Sequence, residues 1–369
     1  MSAIKTVACL KNYLYRAMQL EHATIPTYLT ALYSIHPQTN SDAFHIIRVV
    51  VVEEMLHLTI AANLMNAIGG EVDLTKDGFL PDFPTYLPDG ETDFQVDLAC
   101  LAPSTIQTFL QIERPSKRPE GVDPHVACGA DHRAKLAVVP CDDTVRYYSI
   151  GDFYAAIAQG LKDLDCEYKA LGKDLFCGDP ARQITSEYYY SGGGTLEGVY
   201  DLDSALRMID LVSSQGEGEL GEPYDAQGEL AHFYRFEQLL LGQYYQPGDA
   251  PHAPTGPACE VDWDAVYPAA SNLKLSQIQA QDPELAAAAQ AFNRTYFEFL
   301  QLLTEAFSGA PETLMTTAVP YMFRLRNGVN TLVRNPLAGT VASDLSAKYG
   351  AGEGPAHAAP TFEMGMFTK

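Results

Sequence analysis

Hydrophobic positions recur along most of this chain at three- and four-residue steps, the spacing of a helix with a buried face. Between residues 7 and 35, Leu10, Leu14, Ala17, Thr24, Tyr28, Ala31 and Ile35 mark one stripe. The stretch "HPQTNSD" interrupts it, and Ser41 or Asp42 can cap a second helix over 42–68 that Gly69-Gly70 closes. The break is short, so the two helices are expected to form an antiparallel hairpin. Helical periodicity returns at about 104–113, 151–173, 202–216, 228–244, 283–308 and 311–335. Residues 71–149 are rich in Pro, Gly and Asp and read as an elaborated crossover rather than a separate domain. Within them 116–145 shows no period and reads as a loop, as does 246–275. The tail 346–369 reads as irregular, and strands are confined to short candidates at 136–140 and 185–190. The expected class is all-α. The chain shows no internal repeat and no low-complexity tract.

One stretch offends the pattern. Residues 51–63, "VVEEMLHLTIAAN", leave no polar face in mid-helix, yet they carry Glu53, Glu54 and His57. Buried acids and imidazoles need partners. Glu54 and His57 stand three residues apart, one turn along a helix face, where both can reach one metal ion. Glu229 and His232 repeat the spacing in "GELAHFYRFEQLL". Chance placement of the histidines and glutamates yields about half of one such pair in the whole chain. A di-metal carboxylate bundle also takes a lone glutamate from each of two other helices. Glu21 lies on the first helix's apolar stripe, and an antiparallel hairpin sets it level with Glu54.

The second lone glutamate has several candidates. Glu217, which ends the 202–216 helix, is preferred because a hairpin with the next helix sets it level with Glu229 and His232. Glu113, Asp152, Asp163 and Glu167 compete, although Asp152 is sufficiently explained as an acid at a helix start. Glu53 is expected as a bystander. Taken singly, His57 and His232 read first as hydrogen-bonded core histidines, and Glu229 can be a helix-start acid. Pro26, inside the first helix, is either a harmless kink or an opening beside Glu21. Tyr28, Tyr33, Phe233, Tyr234 and Phe236 read first as core and second as the lining of an aromatic pocket.

Composition narrows the partners. The chain has 369 residues, 47% of them hydrophobic, with a formal net charge of −23. An acidic surface of this size disfavours nucleic acid and anionic membranes and favours cations. No signal peptide or membrane-spanning stretch is legible. The seven cysteines (Cys9, Cys100, Cys128, Cys141, Cys166, Cys177 and Cys259) lack zinc spacing and read as reduced, mostly buried thiols of a cytoplasmic protein. Cys128 and Cys141 share one polar loop and could pair. There is no GxSxG and no Walker A, and Gly192–Gly194 do not form a dinucleotide fingerprint.

The segments "QLEHATIPTYLTALYSI", "EEMLHLTIAANLMNAIGGE", "LPDFPTYLP", "FLQIERP", "SIGDFYAAI", "SSQGEGEL", "ELAHFYRFEQL" and "PTFEM" resemble the ferritin-like iminophenyl-pyruvate dimer synthase domain family, found in violacein biosynthesis. The resemblance covers about 8–245 and, more loosely, the closing helices and tail. It implies one elaborated ferritin-like domain over 1–369, a four-helix core at 7–68 and 202–244, and coupling of imines derived from an aromatic amino acid. Its metal pattern falls on Glu21, Glu54, His57, Glu229 and His232, with Glu217 the sixth ligand. The expected activity is non-haem oxidation of a small organic substrate with dioxygen at two Fe ions, Mn being the alternative. A manganese catalase or peroxidase, a ferritin-like iron store and a metal-free partner-binding protein compete with it. A homodimer is the candidate assembly.

Overall fold

The computed structural model describes residues 4–90, 92–116, 146–189, 193–218, 222–225, 227–279, 282–338, 355–365 and 367. Among these, nine α-helices, a short 3-10 helix (Pro180–Arg182), one π turn and isolated β-bridges account for the regular structure. Helix α1 (Val7–Ser34) begins at Thr6, whose side chain accepts from the Cys9 amide, and runs unbroken through Pro26. Helix α2 (Ser41–Ala67) returns beside it, as the short break requires. The turn between them is held from outside: Asn40 exchanges two hydrogen bonds with Asp262, each of 2.8 Å.

Helix α4 (Ile150–Ala170) packs on α1, and α5 (Leu202–Glu217) packs on α2, while α4 and α5 pair with each other. These four helices form the bundle. Helix α4 therefore stands where the sequence pattern placed 228–244. That segment is helical only as α6 (His232–Leu241), since Leu230 bridges to Tyr224 in extended form. Helix α6 packs against α3 (Pro103–Ile112), α2 and α5. The short α7 (Leu275–Gln279) had no legible period. Helix α8 (Pro283–Phe307) follows it, and a single π turn at 314–318 leads into α9 (Val319–Val333).

Helices α8 and α9 cover the α1–α2 hairpin on a face that α4 and α5 leave free. Covered by helices on several sides, α1 and α2 bury nearly every residue in their middle turns. This explains why their polar face is missing from the sequence. The tail is irregular as expected but not loose: Ala356, Ala358, Ala359, Phe362 and Met364 are buried.

Two expectations fail here. Residues 185–189 form turns rather than a strand. Cys9 is disulfide-bonded, and the free Cys166 and Cys177 are exposed, so the described cysteines are neither all reduced nor mostly buried. The candidate strand at 136–140, most of the 116–145 loop, and Cys128 and Cys141 lie outside the described residues. No described helix is long and apolar enough to cross a membrane.

Candidate metal centre

The centre is built from four helices and their ends. Glu21 comes from α1, Glu54 and His57 from α2, Glu113 from the C-terminal cap of α3, and His232 from the first residue of α6. All five are almost completely buried. Two triads result, Glu21–Glu54–His57 and Glu54–Glu113–His232, each with one ligand atom per residue lying within 4.8 Å of the others. Glu54 belongs to both. His57 Nδ1 stands 3.6 Å from Glu21 Oε2 and 3.8 Å from Glu54 Oε1. His232 Nδ1 stands 2.9 Å from Glu54 Oε1 and 3.5 Å from Glu113 Oε2.

The far sides of the imidazoles fix which nitrogen faces the centre. His57 Nε2 lies 2.8 Å from Gln215 Oε1, and His232 Nε2 lies 2.8 Å from Glu53 Oε2. Gln215 is held in this orientation because its amide nitrogen donates to the Gly193 carbonyl. Amide and carboxylate oxygens only accept, so each Nε2 donates outward and Nδ1 is the nitrogen left facing the carboxylates. His232 Nδ1 has no hydrogen-bond partner: Glu54 is near it, but not in donor–acceptor geometry. A cation there would displace the protons the cluster otherwise holds and meet converging oxygen and nitrogen donors. Three carboxylates with two imidazoles suit iron or manganese and fit a metal pair. The residues present therefore fit the metals that the ferritin-like pattern implies.

The surrounding hydroxyls brace the carboxylates. Tyr154 of α4 donates to Glu21 Oε1 at 2.6 Å, Tyr28 donates to Glu113 Oε1, and Thr24 donates to Glu54 Oε2 at 3.0 Å. Burial, reinforced by the adjacent carboxylates, pushes the ionisation of Tyr28 and Tyr154 well above the ordinary phenol range, so both remain donors.

The cluster's own side chains do not balance in charge. Burial, with repulsion from Glu113 and Glu21 outweighing His232 and His57, pushes Glu54 up to about 7. Burial alone would lower both histidines. The surrounding carboxylates reverse this, raising His57 through Glu21 and Glu54 and His232 through Glu113, Glu53 and Glu54. Glu53 moves down despite its burial, because His232 and Arg235 hold its charge. Acids crowded away from water either keep protons or take cations.

Two residues expected at the centre are not brought to it. The Glu217 carboxylate turns outward: its Oε1 accepts from the Gly151 amide at 2.7 Å, and its Oε2 accepts from the Ser116 amide at 2.9 Å and the Ser116 hydroxyl. It ties the start of α4 to the segment just after α3. The hairpin register that favoured it fails because α5 pairs with α4 and the chain is extended ahead of His232. At this level α5 contributes Gln215 instead, and Gly216 lies beside Glu113: a Cβ there would sit 3.7 Å from Glu113 Oε2. Glu229 lies outside α6, and its mostly exposed side chain pairs with Arg235 at 3.1 Å. An i, i+3 relation holds only inside a helix. Glu113 stood among the sequence candidates, whereas Asp152, Asp163 and Glu167 belong to neither triad.

Glu53 is no bystander, since it is the carboxylate that orients His232. The signal was its place beside Glu54 in an apolar run. The Gly-rich stretch also gains a role. Gly193 (φ +73°) lets the backbone lie on Glu53, where a Cβ would come within 2.2 Å of Cγ.

A helical bundle that buries glutamates and histidines in this way defines a class. A family model described as Ferritin-like matches residues 14–241, well over half of the chain, and the chain belongs to that family. The match bears out the resemblance read from the sequence motifs. A crystal structure of a ferritin-like protein from Caulobacter vibrioides superposes with a TM-score of 0.57 at 23% identity, covering 89% of this chain and 96% of that one. Dichlorochromopyrrolate synthase of Lentzea aerocolonigenes is 28% identical over 324 residues, covering 82% of this chain and 28% of the relative. The chain thus spans little more than a quarter of the length of that relative.

Proposed function

We propose that this protein is a non-haem di-iron oxidase that acts with dioxygen on a small, aromatic amino-acid-derived metabolite in natural-product biosynthesis. Two carboxylate–imidazole triads sharing Glu54 carry the reading, because this is the arrangement that holds two metal ions side by side. The likeness to a biosynthetic synthase supports the substrate class. The whole chain is read as one elaborated ferritin-like domain.

Glu21 and His57 would hold one metal, Glu113 and His232 the other, and Glu54 would bridge them. Metals bound there supply redox chemistry toward dioxygen and open positions for small molecules. The protein's own groups prepare the site. Gln215 and Glu53 hold the imidazole protons on the outer nitrogens. Tyr28, Tyr154 and Thr24 fix the carboxylate oxygens that are not turned to metal. Near-complete burial keeps bulk water away and strengthens each of these contacts. Elemental analysis of protein purified without chelators tests the proposal: about two equivalents of iron are expected. Less than about half an equivalent of any transition metal in folded protein from metal-replete cells overturns it.

A further inference from the structure

The α1–α2 hairpin has a second functional face. On α1, Glu21, Thr24 and Tyr28 belong to the carboxylate cluster, whereas His22, Ile25, Leu29 and Leu32 line a separate cavity of about 530 Å³. On α2 the division is between Glu53, Glu54 and His57 on one side and Arg48, Val52, Met55 and Thr59 on the other. Helices α8 and α9 supply the opposite wall, where Phe292, Tyr296, Phe299 and Phe307 make it strongly aromatic. The volume falls within the ordinary range for small-molecule sites.

Three nitrogen-bearing side chains stand out in the lining. Arg48 and Arg326 both line the cavity and both reach solvent. Neither makes an ion pair or hydrogen bond to any described residue, in a chain whose net charge is −23. Two guanidinium groups at one cavity, with no partner among the described residues, can serve an anion. The third feature is His22, which is 1% exposed. Its Nε2 lies 2.8 Å from the Tyr296 hydroxyl, and its Nδ1 has no hydrogen-bond partner. A buried, unsatisfied nitrogen in the wall of a cavity calls for a ligand atom.

The spacing of these features gives the ligand a length. Thr24 and Glu54 are in hydrogen-bond contact across the hairpin, so Glu21 and Glu54 lie near one level. Arg48 then stands five to six residues nearer the turn than His22, about 8 Å by the helical rise. We propose that this cavity binds an aromatic carboxylate whose ring system carries a hydroxyl, able to donate or accept, at the far end. The carboxylate meets Arg48 and Arg326, the ring lies among the phenylalanines, and the distal polar group satisfies His22 Nδ1. The site is independent of the carboxylate cluster, because the two helices of the hairpin stand between them.

The fluorescent probe 6-hydroxy-2-naphthoate, titrated into the full-length protein and followed by anisotropy, tests this. Saturable binding of one equivalent is expected, and the exposed-side double variant Arg48→Ala/Arg326→Ala should weaken it roughly tenfold or more. The methyl ester should bind as weakly to the wild type as the acid does to that variant. Met322→Trp, which fills the cavity from α9, should abolish binding. Glu54→Ala should leave probe binding intact while removing metal, which separates this site from the proposed di-iron centre. Absence of saturable binding overturns the proposal, and so does equal affinity of acid and ester. Binding that survives Met322→Trp places the probe elsewhere and also overturns it. Equal affinity for 2-naphthoate, which lacks the hydroxyl, overturns the assignment of the distal group to His22 and with it the proposal.

Discussion

Helix α2 and the start of α6 each carry a glutamate three residues ahead of a histidine, and they use the spacing differently. In α2 the pair lies in mid-helix, both residues are buried, and both point to one place. At 229–232 the helix begins with the histidine itself. His232 reaches the centre, while Glu229 stays outside it and pairs with Arg235. The vacant carboxylate position beside His232 is filled by Glu113, from the end of a helix that the second motif does not include. A ligand spacing thus has meaning only within the secondary structure that gives it direction. Burial tells the two apart: an acid with no way to solvent has to be neutralised, and an exposed one does not.

Breaking the pair in α2 should have the largest effect. Glu54→Ala removes the residue shared by both triads, and metal content should fall nearly to zero while circular dichroism still reports a helical bundle. Glu229→Ala should leave metal content unchanged; loss of metal there would restore the symmetric reading of the two motifs.

Next in size is the contrast between Glu113 and Glu217. Glu113→Ala should remove about half of the bound metal, since one triad remains. Glu217→Ala should keep the metal but lower unfolding stability by about 1–3 kcal/mol in denaturant titration, because the amides of Ser116 and Gly151 lose their acceptor.

Changing the outer partners of the imidazoles should act more gently. Gln215→Leu and Glu53→Leu leave every proposed ligand in place but release the rings. Metal affinity by competition with a chelator should fall about 10- to 100-fold. An unchanged affinity would mean that packing alone orients the histidines.

The smallest effect concerns pH. In the metal-free protein Glu54 is pushed up to about 7, and His57 and His232 are raised as well. The folded state therefore holds more protons than the unfolded one, so its stability falls as pH rises from about 5 toward 8. Glu53, shifted downward, contributes the opposite slope only at more acid pH. Melting temperatures of metal-free protein at pH 6 and pH 8 should differ in this sense. Bound metal should flatten the difference, and Glu54→Gln should reduce it.

Much of the fold was legible because helical periodicity is a local signal. The boundaries of α1, α2, α3, α5 and α8 lie within a residue or two of the expected ones. Glu21, Glu54 and His57 were legible for the same reason, since one hairpin with a short turn fixes their level. Glu113 was only one candidate among several, because it sits at a helix cap whose neighbours are brought in by long-range packing. Gln215 carried no signal at all: a buried amide is unremarkable until an imidazole is seen beside it.

The sequence by itself determined that this chain is helical, that its first two helices pair, and that they bury more acid than packing can explain. Those conclusions rest on interactions between residues a few turns apart. Only the tertiary structure decided which helix completes the bundle, that Glu113 rather than Glu217 or Glu229 meets His232, and that α8 and α9 enclose a second cavity behind the hairpin. Each depends on contacts between segments tens to hundreds of residues apart, where many pairings satisfy the same local pattern and only the packing of the whole core selects one.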